Sequence, residues 1–367
     1  MSDAEQDKRH MAHALRLGAR GLGRVAPWPS VGCVIVRGGH VVGRGTSDRT
    51  SVRHAEVVAL AQAGDAARGA TAYVTLEPCC HHGRTPPCTT ALISAGISRV
   101  VTTLEDPNPL VAGKGLASLR AAGVDVTTGV LAAEAEAQQR GFLNTIRLNR
   151  PLVTLKLATT LDGRIATATG ESQWITGEQA RRTVHAFRLS HDAVLVGGGT
   201  ARADDPTLTA RNLGATHQPT RLVASRRLNL PFPNRLIETI DQAPLWLLHG
   251  SEDVEATTAT KWQNAGAKLL PVPVKNGQID PDAMLFVLAN AGLTRVFCEG
   301  GGTFAASLLN AGVVDELIWM TAGLTLGAEG QPAIGALGVH SLPDAERFDL
   351  IETRQLGPDV LHRWAKR

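Results

Sequence analysis

The stretch Ser51–Cys88 carries His54-Ala55-Glu56 and, 23 positions after His54, the run Glu77-Pro78-Cys79-Cys80-His81-His82-Gly83-Arg84-Thr85-Pro86-Pro87-Cys88. One imidazole and two thiolates suit Zn²⁺, which takes nitrogen and sulfur ligands in a tetrahedron. Three protein ligands leave a fourth position for water, the mark of a catalytic site rather than a closed structural one. The metal lowers the pKa of that water to about 7, and a nearby carboxylate can shuttle its protons. Glu56, two residues past the histidine, stands where such a carboxylate would act. By residue type alone Cys80, His81 and His82 compete with Cys79 and Cys88 as ligands. A lone His-x-Glu triplet is an ordinary helix start; the cysteines turn it into a metal site.

Residues 54–64 read as a helix with His54 and Glu56 in its first turn. Ala70–Leu76 is an apolar strand, and Glu77-Pro78-Cys79 follows where a second helix would begin. Residues 4–22, apolar at Met11, Ala14, Leu15 and Leu17–Ala19, form an amphipathic helix. Pro27-Trp28-Pro29-Ser30 breaks it, and Val31–Val36 and His40–Gly45 make a hairpin around Gly38-Gly39. Strand–helix alternation continues through Thr89–Ala95, Arg99–Thr103, Gly115–Ala122 and Asp125–Thr128 to a helix over Glu134–Leu148. The metal then lies where two helix N-termini meet at one end of a sheet, and thiolates gain from the helix dipoles.

The motif resembles the zinc nucleobase deaminases, whose signature is H-x-E followed by P-C-x-x-C. Here eight residues separate Cys79 from Cys88. That longer form, P-C-x-H-x-G-x-T-P-P-C, resembles the deaminase half of the bifunctional riboflavin-biosynthesis family, a diaminohydroxyphosphoribosylaminopyrimidine deaminase joined to a 5-amino-6-(5-phosphoribosylamino)uracil reductase. The resemblance implies His54, Cys79 and Cys88 as ligands and Glu56 as the catalytic residue. Cys80 stands where the family usually has serine. Trp28 stands where the family has an asparagine facing the substrate. Asp106-Pro107-Asn108-Pro109, Lys114 and Gly115 resemble the family's D-P-N-P-x-V-x-G-x-G loop, although proline and asparagine also make plain turns.

At 367 residues the chain is long for one core and predicts two domains. It is 43% hydrophobic and 19% charged, the composition of a globular protein. A net charge of +3 is too small to point to nucleic acid. The five cysteines, three of them in the metal motif, argue for a reducing compartment. The acidic opening, Met1-Ser2-Asp3-Ala4-Glu5, does not read as a signal peptide, and no run reaches the roughly 18 apolar residues of a membrane span. A cytoplasmic protein without a membrane partner is expected.

Asn149-Arg150-Pro151 ends the helix over 134–148 and marks the boundary, giving domains 1–149 and 150–367. The second half opens on a buried strand, Pro151–Ala158. Later strands are Ala193–Val196, Thr220–Ala224, Leu245–Leu248, Lys268–Val272 and Arg295–Cys298, with helices over Gln179–Ser190 and Thr303–Ala311. This is α/β with a mostly parallel sheet. Glycine-rich turns at Gly197–Gly199 and Gly300–Gly302 let backbone approach a phosphate at a helix N-terminus. Neither is a G-x-G-x-x-G fingerprint. Ser225-Arg226-Arg227 after a strand could hold a 2′-phosphate or be a solvated loop. Arg188 and Arg211 offer forked grips on a sugar phosphate, or are surface arginines.

Four segments in order, K-L-A-x-S-L-D-G-R-I-A, S-x-W-I-T, D-D-P-x-L-T-x-R and V-E-G-G, resemble the reductase half of the same family, with Thr160 for the serine and Cys298 for the valine. The resemblance implies a cytidine-deaminase-like three-layer domain followed by a dihydrofolate-reductase-like domain. It implies Ala158, Trp174, Thr200, Asp204, Ser225, Gly301 and Gly302 at an NADPH site. It implies Ser172, Arg188, Leu208, Arg211 and Glu299 on a pyrimidine ribose phosphate, and a homo-oligomer, dimer or tetramer. Ala224 stands where the family often has aspartate.

Two activities are therefore expected, zinc-dependent hydrolytic deamination and then NADPH-dependent reduction of the ribosylamino chain to ribitylamino. One competitor is a reductase whose deaminase half is impaired at Trp28. Another is a nucleic-acid-editing deaminase with an accessory domain, which calls for a basic stripe interleaved with aromatics; the chain is 4% aromatic with one tyrosine. A zinc-stabilised binding protein would be indifferent to Glu56→Gln.

Overall fold

The structure, a computed structural model, describes residues 2–49, 53–81, 86–109 and 111–367. Two compact units run Met1–Asn149 and Arg150–Arg367.

The first unit contains α1 (Asp3–Ala19), β1 (Gly32–Arg37), β2 (His40–Thr46), α2 (Ala55–Ala63), β3 (Thr71–Val74), α3 (Cys88–Ser94), β4 (Arg99–Thr102), α4 (Lys114–Ala121), β5 (Asp125–Thr127) and α5 (Ala132–Arg147). The sheet order is β2-β1-β3-β4-β5. Side chains alternate across a strand, so one strand serves two layers. Cys33 and Ile35 of β1 pack with Ala55 and Ala59 of α2, Leu92 of α3 and Leu119 of α4. Val34 and Val36 pack with Met11 and Ala14 of α1 and Ala135 of α5. The result is a three-layer α/β/α unit. Ser2 and Glu5 form a capping box at α1. Gly38 and Gly39, at φ 56° and 80°, make the two-residue turn between β1 and β2.

The helix expected at Cys79 opens nine residues later, at Cys88. Pro87 disfavours helical backbone at Pro86, so the helix that begins at Cys88 does not extend back past its N-cap Pro87. Ends elsewhere shift by a few residues.

The second unit contains β6 (Leu152–Thr160), β7 (Arg164–Ala166), α6 (Glu178–Leu189), β8 (Ala193–Gly197), α7 (Gly198–Asp204), β9 (Thr220–Ala224), α8 (Arg235–Glu238), β10 (Leu245–Gly250), α9 (Ala256–Asn264), β11 (Lys268–Val272), β12 (Val274–Lys275), β13 (Gln278–Ile279), α10 (Pro281–Asn290), β14 (Arg295–Cys298), α11 (Gly302–Asn310), β15 (Glu316–Ala322), β16 (Gln331–Pro332), β17 (Phe348–Leu356) and β18 (Asp359–Lys366). Nine strands form one sheet in the order β11-β10-β9-β8-β14-β6-β15-β18-β17. The pairs from β11 to β15 are parallel, as the helical crossovers require. The β15–β18 and β18–β17 pairs are antiparallel. Sequence reading did not anticipate β15, β17 and β18. One sheet face packs under α10 and α11, and Val184 of α6 and Trp262 of α9 cover parts of the other.

Candidate active sites

In the first unit β1 begins, and β3 ends, at the same end of the sheet, since Cys33 pairs with Val74. The chain enters α2 at that end too, because Gly32 pairs with Thr46 of β2. His54 is the N-cap of α2, with extended backbone, and Glu56 lies in its first turn. Gly45 of β2 lets that turn approach: a Cβ there would stand 1.9 Å from the Ala55 carbonyl oxygen. Cys88 is the first residue of α3 and Cys79 lies in the loop after β3.

These elements converge on one point. His54 Nδ1 is 3.1 Å from Cys88 Sγ and 3.5 Å from Cys79 Sγ. The three donor atoms lie within 4.8 Å of one another, the one such group among the described residues. Tetrahedral zinc would separate its nitrogen and sulfur ligands by about 3.6 Å. The donor set and its spacing fit zinc, and the ring nitrogen that faces the thiols is Nδ1. The Cys88 backbone N–H donates to Cys79 Sγ at 3.4 Å, so the helix N-terminus of α3 itself favours a thiolate. The Cys88 thiol, outweighing burial, and the His54 ring hold Cys79 well below the usual thiol range. The bond to Cys79 raises His54 in turn. Glu56 is 4% exposed, and burial pushes its carboxyl up to about 7.

Of the competing ligands, Cys80 and His81 lie outside this group, and His82 lies outside the described residues. Trp28, in the turn before β1, is 41% exposed. Sequence reading gave Glu77 no role, yet it is buried and both its oxygens are engaged. Oε2 accepts the N–H groups of Asp106 (3.1 Å) and Gly113 (2.9 Å), and Oε1 those of Gly115 (2.8 Å) and Leu116 (3.1 Å). Its position just ahead of Pro78-Cys79 was the one signal available.

In the second unit both glycine turns open helices: Gly197 is the N-cap of α7 and Gly301 that of α11. Thr200 ties them together, its Oγ1 accepting the Gly301 N–H at 3.0 Å. Arg188 at the end of α6 gives its fork to Glu299, Nε to Oε1 at 2.6 Å and Nη2 to Oε2 at 3.0 Å, and Nη1 donates to the Thr209 carbonyl at 2.7 Å. The fork expected on a sugar phosphate is therefore occupied within the protein. Burial raises the Glu299 carboxyl, but the Arg188 charge carries it below its ordinary value.

Arg211 donates from Nη1 to Thr207 Oγ1 at 2.6 Å, and its backbone N–H donates to His185 Nδ1 at 3.3 Å. Between them Leu208 is buried at φ 56°. Burial first, then the charges of Arg188 and Arg211, push His185 down to about 4. Ser225 is buried at the end of β9. Arg226 donates to the Gly277 carbonyl at 2.8 Å and lies 4.0 Å from Asp253, so its charge is partly answered within the fold. Ala158 is half-buried on β6, Asp204 is exposed at the end of α7, and a Cβ on Gly302 would meet the Pro332 oxygen at 2.6 Å.

Ser172 and Trp174 lie on a separate loop ahead of α6. Trp174 is 67% exposed with the Arg181 guanidinium 4.7 Å over its ring. It lines a pocket of about 370 Å³ with Thr176, Arg181, Leu324 and Asp359. Lys156 lies on β6 within an apolar run. Burial lowers its pKa, and Glu299, Arg188 and Asp204 all act on its charge.

Residues 4–104 match the cytidine and deoxycytidylate deaminase zinc-binding region, and residues 151–362 match the RibD C-terminal domain. The riboflavin biosynthesis protein RibD of Escherichia coli (strain K12) is 44% identical over 365 residues, covering 97% of this chain and 98% of that protein. Acinetobacter baumannii RibD, in a solved structure, shares 36% identity at a TM-score of 0.89 with both chains fully covered. The Thermotoga maritima diaminohydroxyphosphoribosylaminopyrimidine deaminase/5-amino-6-(5-phosphoribosylamino)uracil reductase shares 30% identity at a TM-score of 0.87, again over both full chains. These likenesses favour neither an editing deaminase nor an impaired one. No helix among the described residues is long and apolar enough to cross a membrane. The chain belongs to the RibD family, bifunctional enzymes of riboflavin biosynthesis that join a zinc-binding deaminase to a reductase.

Proposed function

We propose that residues 1–149 deaminate a diaminohydroxyphosphoribosylaminopyrimidine and that residues 150–367 reduce the deaminated product, its ribosyl chain becoming ribityl. The observation that carries the first step is the trio of donor atoms within 4.8 Å beside a buried Glu56. His54, through Nδ1, Cys79 and Cys88 hold the metal. Zinc, when bound, supplies Lewis-acid activation at its open position. Glu56 takes up a proton at its carboxylate and hands one to the departing amine, a task that suits a pKa of about 7. Water and the amine-bearing carbon are exchanged for carbonyl and ammonia, with nothing covalent to the protein.

In the second unit Ala158, Trp174, Thr200, Asp204, Ser225, Gly301 and Gly302 line the cofactor site. The linked glycine turns there allow phosphate to approach backbone N–H groups. NADPH, when bound, supplies the hydride for the ribosylamino carbon in its open-chain imine form. Ser172, Arg188, Leu208, Arg211 and Glu299 hold the ribose phosphate. Arg211 grips the phosphate, and the Arg188–Glu299 pair fixes the wall beside it. A homo-oligomer, dimer or tetramer, accords with half-exposed Leu350 and Ile351 on the edge strand β17. A cytoplasmic setting accords with five free cysteines.

NADPH oxidation by the whole chain, started from the diamino-pyrimidine phosphate, tests both halves in one absorbance trace. Wild-type protein should oxidise NADPH, and Glu56→Gln should do so only once deaminated substrate is added. Unaltered oxidation by Glu56→Gln from the diamino substrate would remove Glu56 from the mechanism. Silence with deaminated substrate would sink the reading of the second unit.

A further inference from the structure

Glu77 precedes the ligand Cys79 by two residues and uses its whole acceptor capacity on backbone. A carboxylate has about four acceptor sites, and the four N–H groups of Asp106, Gly113, Gly115 and Leu116 fill them. Three of these N–H groups belong to the N-terminus of α4, where a negative charge is favoured. The fourth, from Asp106, ties in the loop 106–109. The approach is close: a Cβ on Gly115 would stand 2.1 Å from the Pro78 carbonyl oxygen. The Asp106 carboxyl is itself buried, accepts the Asn108 N–H at 2.9 Å, and lies within electrostatic reach of Cys79 and His81. One carboxylate thus fastens both α4 and the Asp106 loop to the segment that carries a metal ligand.

We propose that Glu77 is a positioning residue of the deaminase, holding the Asp106–Pro109 loop as a wall of the metal centre and so governing the fit of the pyrimidine rather than the affinity for metal. Glutamine would keep the size but offer one acceptor oxygen, turning an –NH₂ group towards two N–H donors. Aspartate keeps the charge and both oxygens one methylene short. A loop displaced by about 1 Å costs on the order of 100-fold in a reaction that depends on orientation.

The test uses Glu77→Gln and Glu77→Asp in the full chain. Zinc content comes from elemental analysis, deamination kcat and KM from the diamino substrate, and reduction of deaminated substrate serves as internal control. The expected result for Glu77→Gln is full zinc and unaltered reduction, with kcat/KM for deamination down about 100-fold, mostly through KM. Glu77→Asp should recover at least tenfold of that loss. Wild-type KM in Glu77→Gln, a loss that tracks zinc depletion, or equal loss in both variants would each overturn the proposal. Should neither variant fold, hydrogen exchange of the wild-type chain decides. The amides of Asp106, Gly113, Gly115 and Leu116 should exchange slowly and slow further with bound pyrimidine product, and exchange at open-loop rates would overturn the proposal. It rests on the deaminase reading of this unit, and the two fail differently: if that reading fails, the wild-type chain releases no ammonia.

Discussion

In the first unit, the donor atoms of His54 and Cys88 come from positions 34 apart and are set by two helix N-termini. In the second, Arg188 and Glu299 are 111 positions apart and meet only because β14 lies beside β8 and β6 in an assembled sheet. The metal centre is thus a local construction, aimed by backbone at the ends of helices. The Arg188–Glu299 pair is by contrast assembled from distant segments, and it is part of what holds the neighbourhood of the sheet together. Losing a group should therefore mean lost chemistry in the first unit and lost stability in the second.

The sharpest way to break that contrast is to strip the metal. Chelation, or Cys88→Ser, should reduce deamination to background while NADPH oxidation with deaminated substrate persists. Ammonia release and NADPH absorbance, read on the same sample, decide it. Collapse of both activities would mean that the first centre is not local.

Arg188→Gln is the counterpart. The two side chains are 11% and 12% exposed, and stranding a buried partner costs about 3 kcal/mol. Urea unfolding of the whole chain should show that loss for Arg188→Gln, and the double variant Arg188→Gln/Glu299→Gln should lose less than the two single losses added together. Additive losses would deny the pair its role.

A smaller effect comes from pH. His191, 2% exposed, donates from Nδ1 to the Phe187 carbonyl (2.7 Å) while Nε2 meets Thr154 Oγ1 (3.0 Å). Burial pushes it down to about 3 from 6.5. Between those values the unfolded chain binds the proton and the folded chain does not. Stability therefore rises with pH across that window and is lost as pH falls from 6.5 towards 3, by at most about 1.4 kcal/mol per pH unit. The slope of stability against pH should be shallower in His191→Gln, and an unchanged slope would exclude this histidine as its source.

The same contrast explains what could be read in the chain. The grouping of His54, Cys79 and Cys88 beside Glu56 was legible through the family motif, because residue type alone left Cys80, His81 and His82 in competition. The glycine turns were legible because a close backbone approach leaves glycine in the sequence. Glu77 was hidden because its partners are backbone N–H groups, which every residue but proline has. Strand β17 was missed because it is an edge, with Asp349, Glu352 and Arg354 exposed or partly so among its apolar residues, and it shows no buried face to betray a strand.

The bare α-carbon of Gly45 carries a consequence for anyone who re-engineers the deaminase. With 1.9 Å between a would-be methyl and the Ala55 oxygen, the glycine hydrogen acts as the gauge block against which the first turn of α2 is set. A mutant library confined to that turn would vary the tools and leave the gauge untouched. A single methyl at position 45 would shift the whole bench, imidazole and carboxylate together, without altering any group that does chemistry.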